Sequence, residues 1–275
     1  MPPSEPSSND SAAAYPVRFM ILSGPRTGST LLQSALSSSP EITCFGEIFN
    51  HQLDKIDYRT EEYESTIVDM DLRATNPGEF LRKRIFTDPV TPIRATGFKF
   101  HYDHIWGFPG LRQALEEDRG LAVIHLRRRN VLRVLVSSKI AEETGVYFQS
   151  AGTRSGLQAK IVQTLRGAVR LTRPTQDKVR VKPEEVRQAN LESDLTAQHW
   201  ERIFEGHDLL KLTYEDLVPD PKDEFDRILS FLGVTPADLE VTTARQNPEP
   251  LEDLISNYDE LRTAFQGTDY ESLLD

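Results

Sequence analysis

Cys44 is the only cysteine in 275 residues, which excludes an intrachain disulfide and makes a reducing cytoplasm the expected compartment. Long apolar runs are missing too: no window approaches the roughly 18 uninterrupted residues a membrane span needs. The opening MPPSEPSSNDSAAAYP lacks the basic and apolar regions of a signal peptide. Its Pro, Ser and Ala content predicts a disordered tail over residues 1–16, ahead of a single domain at 17–275. Positive charge is also short. The net charge of −11 argues against broad binding to nucleic acid or an anionic membrane. No internal repeat is found, and no His/Cys/Asp group has the spacing of a metal site, so no metal is expected.

What is present is an alternation of strands and helices. Apolar runs predict strands at Val17–Ser23, 41–46, 93–101 and 120–129, and a fifth strand with its exit loop within 207–217. Helical patterns fall at 29–37, 110–118, 130–145, 183–206 and 223–234, with Asn76 capping another through Arg84. Asn130 opens the 130–145 helix, and Gly145 and Gly233 supply stops. Alternating elements without hairpin signals imply an α/β fold: a three-layer α/β/α arrangement around a central, mainly parallel sheet. Residues 150–182 carry Arg154, Lys160, Arg166, Arg170, Arg173, Lys178, Arg180 and Lys182 against the single acid Asp177. That stretch reads equally as a solvated insertion or as a basic lid over an anion. The tail at 236–275 reads as helical, packed on the body or on a second subunit as a homodimer.

The first strand runs into "GPRTGST", residues 24–30. In an open α/β sheet, a helix N-terminus at the carboxyl edge of a strand attracts phosphate. Gly24 and Gly28 permit a tight loop, Arg26 adds fixed positive charge, and Thr27, Ser29 and Thr30 add hydroxyl donors. The nucleotide-kinase pattern is not met: the glycine spacing is one residue short, and Ser29 stands where lysine belongs. By itself the loop also fits a plain strand–helix turn.

"GPRTGSTLL" resembles the 5′-phosphosulfate loop of sulfotransferases that use 3′-phosphoadenylyl sulfate (PAPS) and release adenosine 3′,5′-bisphosphate (PAP). Matched by position, Arg26 falls on the family's loop lysine, and Ser29 and Thr30 on its hydroxyl pair, with Pro25, Thr27 and Gly28 in the same loop. "LRRRNVLRVLVSS" is similar to the family's strand-end Arg with Ser eight positions later, which implies that Arg129 and Ser137 contact the 3′-phosphate. Arg127 or Arg128 is the alternative ligand, and Ser137 also fits an ordinary helix serine. "LLKLTYEDLVPDP" resembles the segment that sets a tyrosine, here Tyr214, near adenine. The late R-K-G-x-x-G-D-W segment of the cytosolic branch is absent, with Arg245 the nearest substitute. "CFGEIFN" and "GFKFHYDH" look more like bacterial carbohydrate sulfotransferases of the trehalose 2-sulfotransferase group.

The resemblance implies sulfuryl transfer to a hydroxyl, on a carbohydrate or glycolipid first of all, with Arg26 and Lys99 opposite the sulfonate and the bridging oxygen. Two residues contend for the general base. Glu47 matches the glutamate of the carbohydrate enzymes and is favoured; His101 matches the histidine of the cytosolic branch. His104 reads as structural. Tyr58, Tyr63, Phe80 and Tyr147 are aromatic candidates for sugar stacking or core. A P-loop-like kinase or nucleotidyltransferase, and a non-catalytic nucleotide-binding protein, are the rival readings.

Overall fold

The computed structural model describes residues 16–50, 69–87, 93–145, 178–219, 221–241 and 247–275. The expected N-terminal tail, most of the basic stretch, Tyr58, Tyr63, Tyr147 and Arg245 lie outside the described residues.

Five parallel strands form one sheet in the order β2-β3-β1-β4-β5. They are β1 (Val17–Ser23), β2 (Ile42–Phe45), β3 (Ala95–His101), β4 (Leu121–Arg127) and β5 (Leu209–Thr213). The α/β class with a parallel sheet is therefore what the alternation predicted. Strand side chains alternate between two cores, as a period of two requires. Met20, Leu22, Phe98, Phe100 and Val123 face one core with Phe49, Phe80 and Trp200. Phe19, Ile21, Cys44 and Ile124 face the other, with Leu32 and Leu36 of helix α1 (Ser29–Leu36). Both faces are covered, so the strands read as continuous apolar runs. Phe80 is wholly buried in the first core, where Phe49 meets it edge-on, and this removes it from the sugar-stacking candidates.

Between β2 and β3, α2 (Met70–Thr75) and α3 (Pro77–Phe80) lead into a π-helical turn at Leu81–Ile85. The Asn76 side chain accepts from the Glu79 backbone N–H and so caps this run as expected. Helix α4 (Leu111–Glu117) connects β3 to β4. Helix α5 (Val131–Thr144) begins where Asn130 accepts from the Arg133 backbone N–H, and it ends at Gly145 with φ of 66°. Helix α6 (Pro183–Ile203) starts at a proline followed by two glutamates, which favours helix entry and the positive dipole end.

The expected exit loop after β5 is instead a helical turn, α7 (Tyr214–Leu217), leading into α8 (Pro221–Phe231). The tail forms α9 (Leu251–Leu254) and α10 (Tyr258–Phe265). Leu251, Leu254, Leu261 and Phe265 build a third core with Val131, Val136 and Ile140 of α5 and Val186 of α6. The tail thus packs on the body of its own chain. Among the described residues, no helix is long and apolar enough to cross a membrane.

Candidate functional site

The sheet register gathers the chemistry at one edge. Ser23 ends β1 opposite His101 of β3, and Ile21 pairs with Lys99 two residues earlier. The loop 24–28 therefore leaves the central strand beside the last turn of β3. Arg26 has φ of 62° and Gly28 φ of 92°, so the backbone turns through two left-handed positions before α1 begins. Gly28 is required here twice over, because a Cβ would also lie 2.4 Å from the Tyr214 ring. No side chain caps α1, so its first-turn N–H groups and positive dipole end are available to an anion.

The loop hydroxyls are fixed by different partners. Thr27 Oγ1 donates to the Gly24 carbonyl and braces the turn from within. Ser29 Oγ lies 3.3 Å from His101 Nε2, and Thr30 Oγ1 accepts from Lys99 Nζ at 3.0 Å. Arg26 Nε donates to Ser137 Oγ at 2.9 Å, which joins the loop to α5. Pro25, for which no polar side chain is available, shapes the backbone between Gly24 and Arg26. At the base of the loop, Ser23 Oγ is buried without a hydrogen-bond partner.

Lys99 is 2% exposed, and its ammonium sits 2.7 Å from Glu47 Oε1. A buried ammonium needs a counter-charge, and Glu47 supplies it. Asn50 Nδ2 donates to Glu47 Oε2 at 2.7 Å, and His104 Nε2 approaches the same oxygen at 3.7 Å. The His101 backbone N–H donates to His104 Nδ1, which leaves the neutral ring's proton on Nε2, facing Glu47. Burial alone would raise the Glu47 pKa, but the His104 hydrogen bond and the charge of Lys99 outweigh it and hold the carboxyl well below the usual range. The His101 pKa is lowered as well: burial first of all takes it to about 3, against the pull of Glu47, so its ring is neutral.

Of the sequence-derived residues, the fold links Ser29, His101, Glu47, Lys99 and Thr30 by way of His104, and separately pairs Arg26 with Ser137. Arg129 takes a different partner from Ser137. Its guanidinium is 60% exposed and bonds Asp216 at 3.1 Å. Arg128 instead donates to the Arg26 carbonyl and lies over the Tyr214 ring at 4.5 Å. Asn247, absent from the sequence reading, brings its amide to 3.5 Å from Ser137 Oγ with φ of 51°. His104 and Asn50 were also missed as partners of Glu47. The HxxH spacing of His101 and His104 was the available signal for the first; for Asn50 it was the three-residue separation from Glu47.

Glu47, His101 and His104 also bring ligand atoms within 4.8 Å of one another, a grouping of metal-binding residue types that linear spacing did not reveal. Lys99 stands against Glu47, and a backbone N–H already occupies His104 Nδ1. A divalent cation would have to displace both. A groove of about 400 Å³ between Arg18, Arg82, Phe86, Glu117 and Asp118 opens at the opposite edge of the sheet, away from all these residues.

A scan against models of protein families finds no match. Nodulation protein H of Rhizobium tropici is 26% identical over 260 residues, spanning 93% of this chain and 92% of that protein. A solved sulfotransferase from Alicyclobacillus acidocaldarius superposes with a TM-score of 0.47 at 18% identity, covering 92% of each chain. A mouse sulfotransferase solved with PAP gives a TM-score of 0.39 at 13% identity, covering 94% of this chain and 87% of its own. The match to nodulation protein H runs nearly end to end in both chains.

The residues suit an anionic ligand. The uncapped start of α1, the unpartnered Ser23 hydroxyl and the cations Arg26 and Lys99 form an anion cradle sized by Gly28 rather than by a side chain. Such a cradle sets positive charge where a bound anion, or negative charge developing on a phosphate, would sit.

Proposed function

We propose that this chain transfers the sulfuryl group of PAPS to a hydroxyl of a carbohydrate or glycolipid, with Glu47 as general base. The observation that carries the reading is the continuous contact chain from Glu47 through Lys99 to Thr30 at the uncapped head of α1. It links a base, a cation and an anion cradle within two hydrogen bonds.

In this reading the acceptor hydroxyl gives its proton to Glu47 while its oxygen bonds to sulfur. The bond from sulfur to the bridging oxygen breaks, and PAP leaves. A carboxylate offers about four lone-pair sites, and Lys99, Asn50 and His104 approach from three directions, which leaves room for one acceptor hydroxyl. Lys99 and Arg26 face the charge that develops on the phosphate; Arg26 stays protonated, so its part is electrostatic. Ser29 and Thr30 hold the 5′-phosphosulfate end, with the N–H groups of α1. Tyr214 lies beside adenine, and Ser137 with Arg129 binds the 3′-phosphate. His101, neutral and beside Ser29, positions the loop.

The carbohydrate acceptor rests on the "CFGEIFN" and "GFKFHYDH" resemblance and on a carboxylate, rather than the imidazole of His101, standing against Lys99. PAP should raise the melting temperature, ATP with magnesium should not, and PAPS should label a sugar in an acceptor panel. Stabilisation by ATP with magnesium and not by PAP would overturn the reading in favour of a kinase-like protein. Arg129→Ala should weaken PAP binding by about 1.5–3 kcal/mol, the value of a charge-assisted contact. Unchanged binding, with the loss appearing in Arg128→Ala, would transfer the 3′-phosphate to Arg128.

A further inference from the structure

Trp106 is the most exposed large apolar side chain among the described residues, at 85%. Indoles are seldom left so bare, since their large ring area favours burial. The residue lies on the 3₁₀ turn Tyr102–Gly107, which leaves the carboxyl end of β3 directly after His101. That turn is pinned from inside: His104 is buried against Glu47, and Ile105 packs on the first core. At three residues per turn, positions three apart eclipse, so Trp106 stands over Asp103, which is also exposed. The rise of about 2 Å per residue puts Trp106 ~4 Å further along the turn axis than His104, and the rotation of about 240° over two residues sets it on the outward face.

An aromatic face with a carboxylate beside it suits a pyranose ring. The indole covers the C–H face, and the carboxylate accepts from the hydroxyls. We propose that Trp106 and Asp103 form an outer acceptor subsite that stacks a sugar ring adjoining the one sulfated. The inference rests on the reading of Glu47 as the base for a carbohydrate acceptor, and it makes the preferred acceptor an oligosaccharide. The site is rigid because the inward side of the same turn is locked into the core.

The chain has two tryptophans, and Trp200 is 5% exposed, so the quenchable fluorescence belongs to Trp106. The full chain with PAP is titrated with mono-, di- and trisaccharides of glucose and N-acetylglucosamine while acrylamide quenching is followed. The di- and trisaccharides should shield the exposed component, and Trp106→Phe should remove that component. In parallel, Trp106→Ala should raise the KM of di- and trisaccharide acceptors about five- to tenfold, the value of one stacked ring, without moving the KM for PAPS. Trp106→Tyr should recover part of the loss. Sulfation of these sugars with neither shielding nor a Trp106→Ala effect overturns the subsite and leaves the sulfotransferase reading standing. Shielding without any sulfuryl transfer overturns the carbohydrate acceptor and, with it, the part of Trp106 as an acceptor subsite, leaving only a sugar-binding surface. Neither shielding nor transfer with any member of the panel overturns the subsite.

Discussion

Replacing Glu47 with glutamine separates its chemical role from its structural one. The carboxylate stands 2.7 Å from a Lys99 ammonium that is 2% exposed, while Glu47 itself is 18% exposed. At an effective dielectric near 20 their attraction is roughly 6 kcal/mol before desolvation. Removing one partner of such a buried pair costs about 3–5 kcal/mol. The glutamine carbonyl keeps a hydrogen bond to the ammonium, worth about 1.5–3 kcal/mol. Its NH₂ then faces the Asn50 amide and the His104 Nε2–H, donor against donor. The net loss should be about 2–3 kcal/mol, or ~4–12 °C in melting temperature for a chain of this size. Turnover should fall by about 10²–10⁴, the contribution of a general base. Melting curves with and without PAP, alongside initial rates with PAPS and a sugar, read both effects. The PAP-induced shift should persist, because in the proposed mechanism Glu47 meets the acceptor hydroxyl and not the nucleotide. A folded Glu47→Gln protein that still responds to PAP and turns over within about threefold of the parent would remove Glu47 from the mechanism.

Four further outcomes are expected. Burial lowers the His101 pKa to about 3, so kcat/KM should show no limb from this residue between about pH 5 and 8; a limb near pH 6.5 that His101→Asn abolishes would overturn this. Glu47 has a lowered pKa, so its stabilisation is present above its ordinary value of 4.5 and is lost as pH falls. Acid melts of the parent should therefore be steeper below pH 4.5 than those of Glu47→Gln, and identical slopes would contradict the pairing with Lys99. Gly28→Ala places a Cβ 2.4 Å from the Tyr214 ring at φ of 92° and should cost at least 1–2 kcal/mol in a melt, roughly the left-handed penalty. Ser137→Ala removes the acceptor of the Arg26 Nε–H and should weaken PAP binding about fivefold by calorimetry, for a contact of about 1 kcal/mol.

Much of this fold could be read in advance because parallel strands covered on both faces are apolar along most of their length, and "VRFMILS" and "LAVIHLR" are apart from Arg18, Ser23, His125 and Arg127. Helix ends were equally plain where Asn130, Gly145 and Pro183 act through their own local geometry. The turn at Tyr214–Leu217 escaped because "YEDL" has too few residues to show a helical period. The site was legible as a set of residues but not as a set of contacts. Nothing in the sequence shows that Lys99, 52 positions after Glu47, meets its carboxylate, since register between β2 and β3 decides it. The same applies to Arg129. Its position beside a strand end was readable, but its partner Asp216 arrives from another part of the chain.

The Asn130 side chain caps α5 with its oxygen and donates through its amide to the Leu273 carbonyl, while the Tyr258 hydroxyl donates to that of Leu274. Leu273 is thus tied to the cap of the helix that carries Ser137, and Leu274 to α10. A purification tag or reporter fused after Asp275 pulls on that knot, whereas Val17 begins β1 at the end of the central strand opposite the loop 24–28. Affinity measurements on this protein should therefore be made with the label at the amino end.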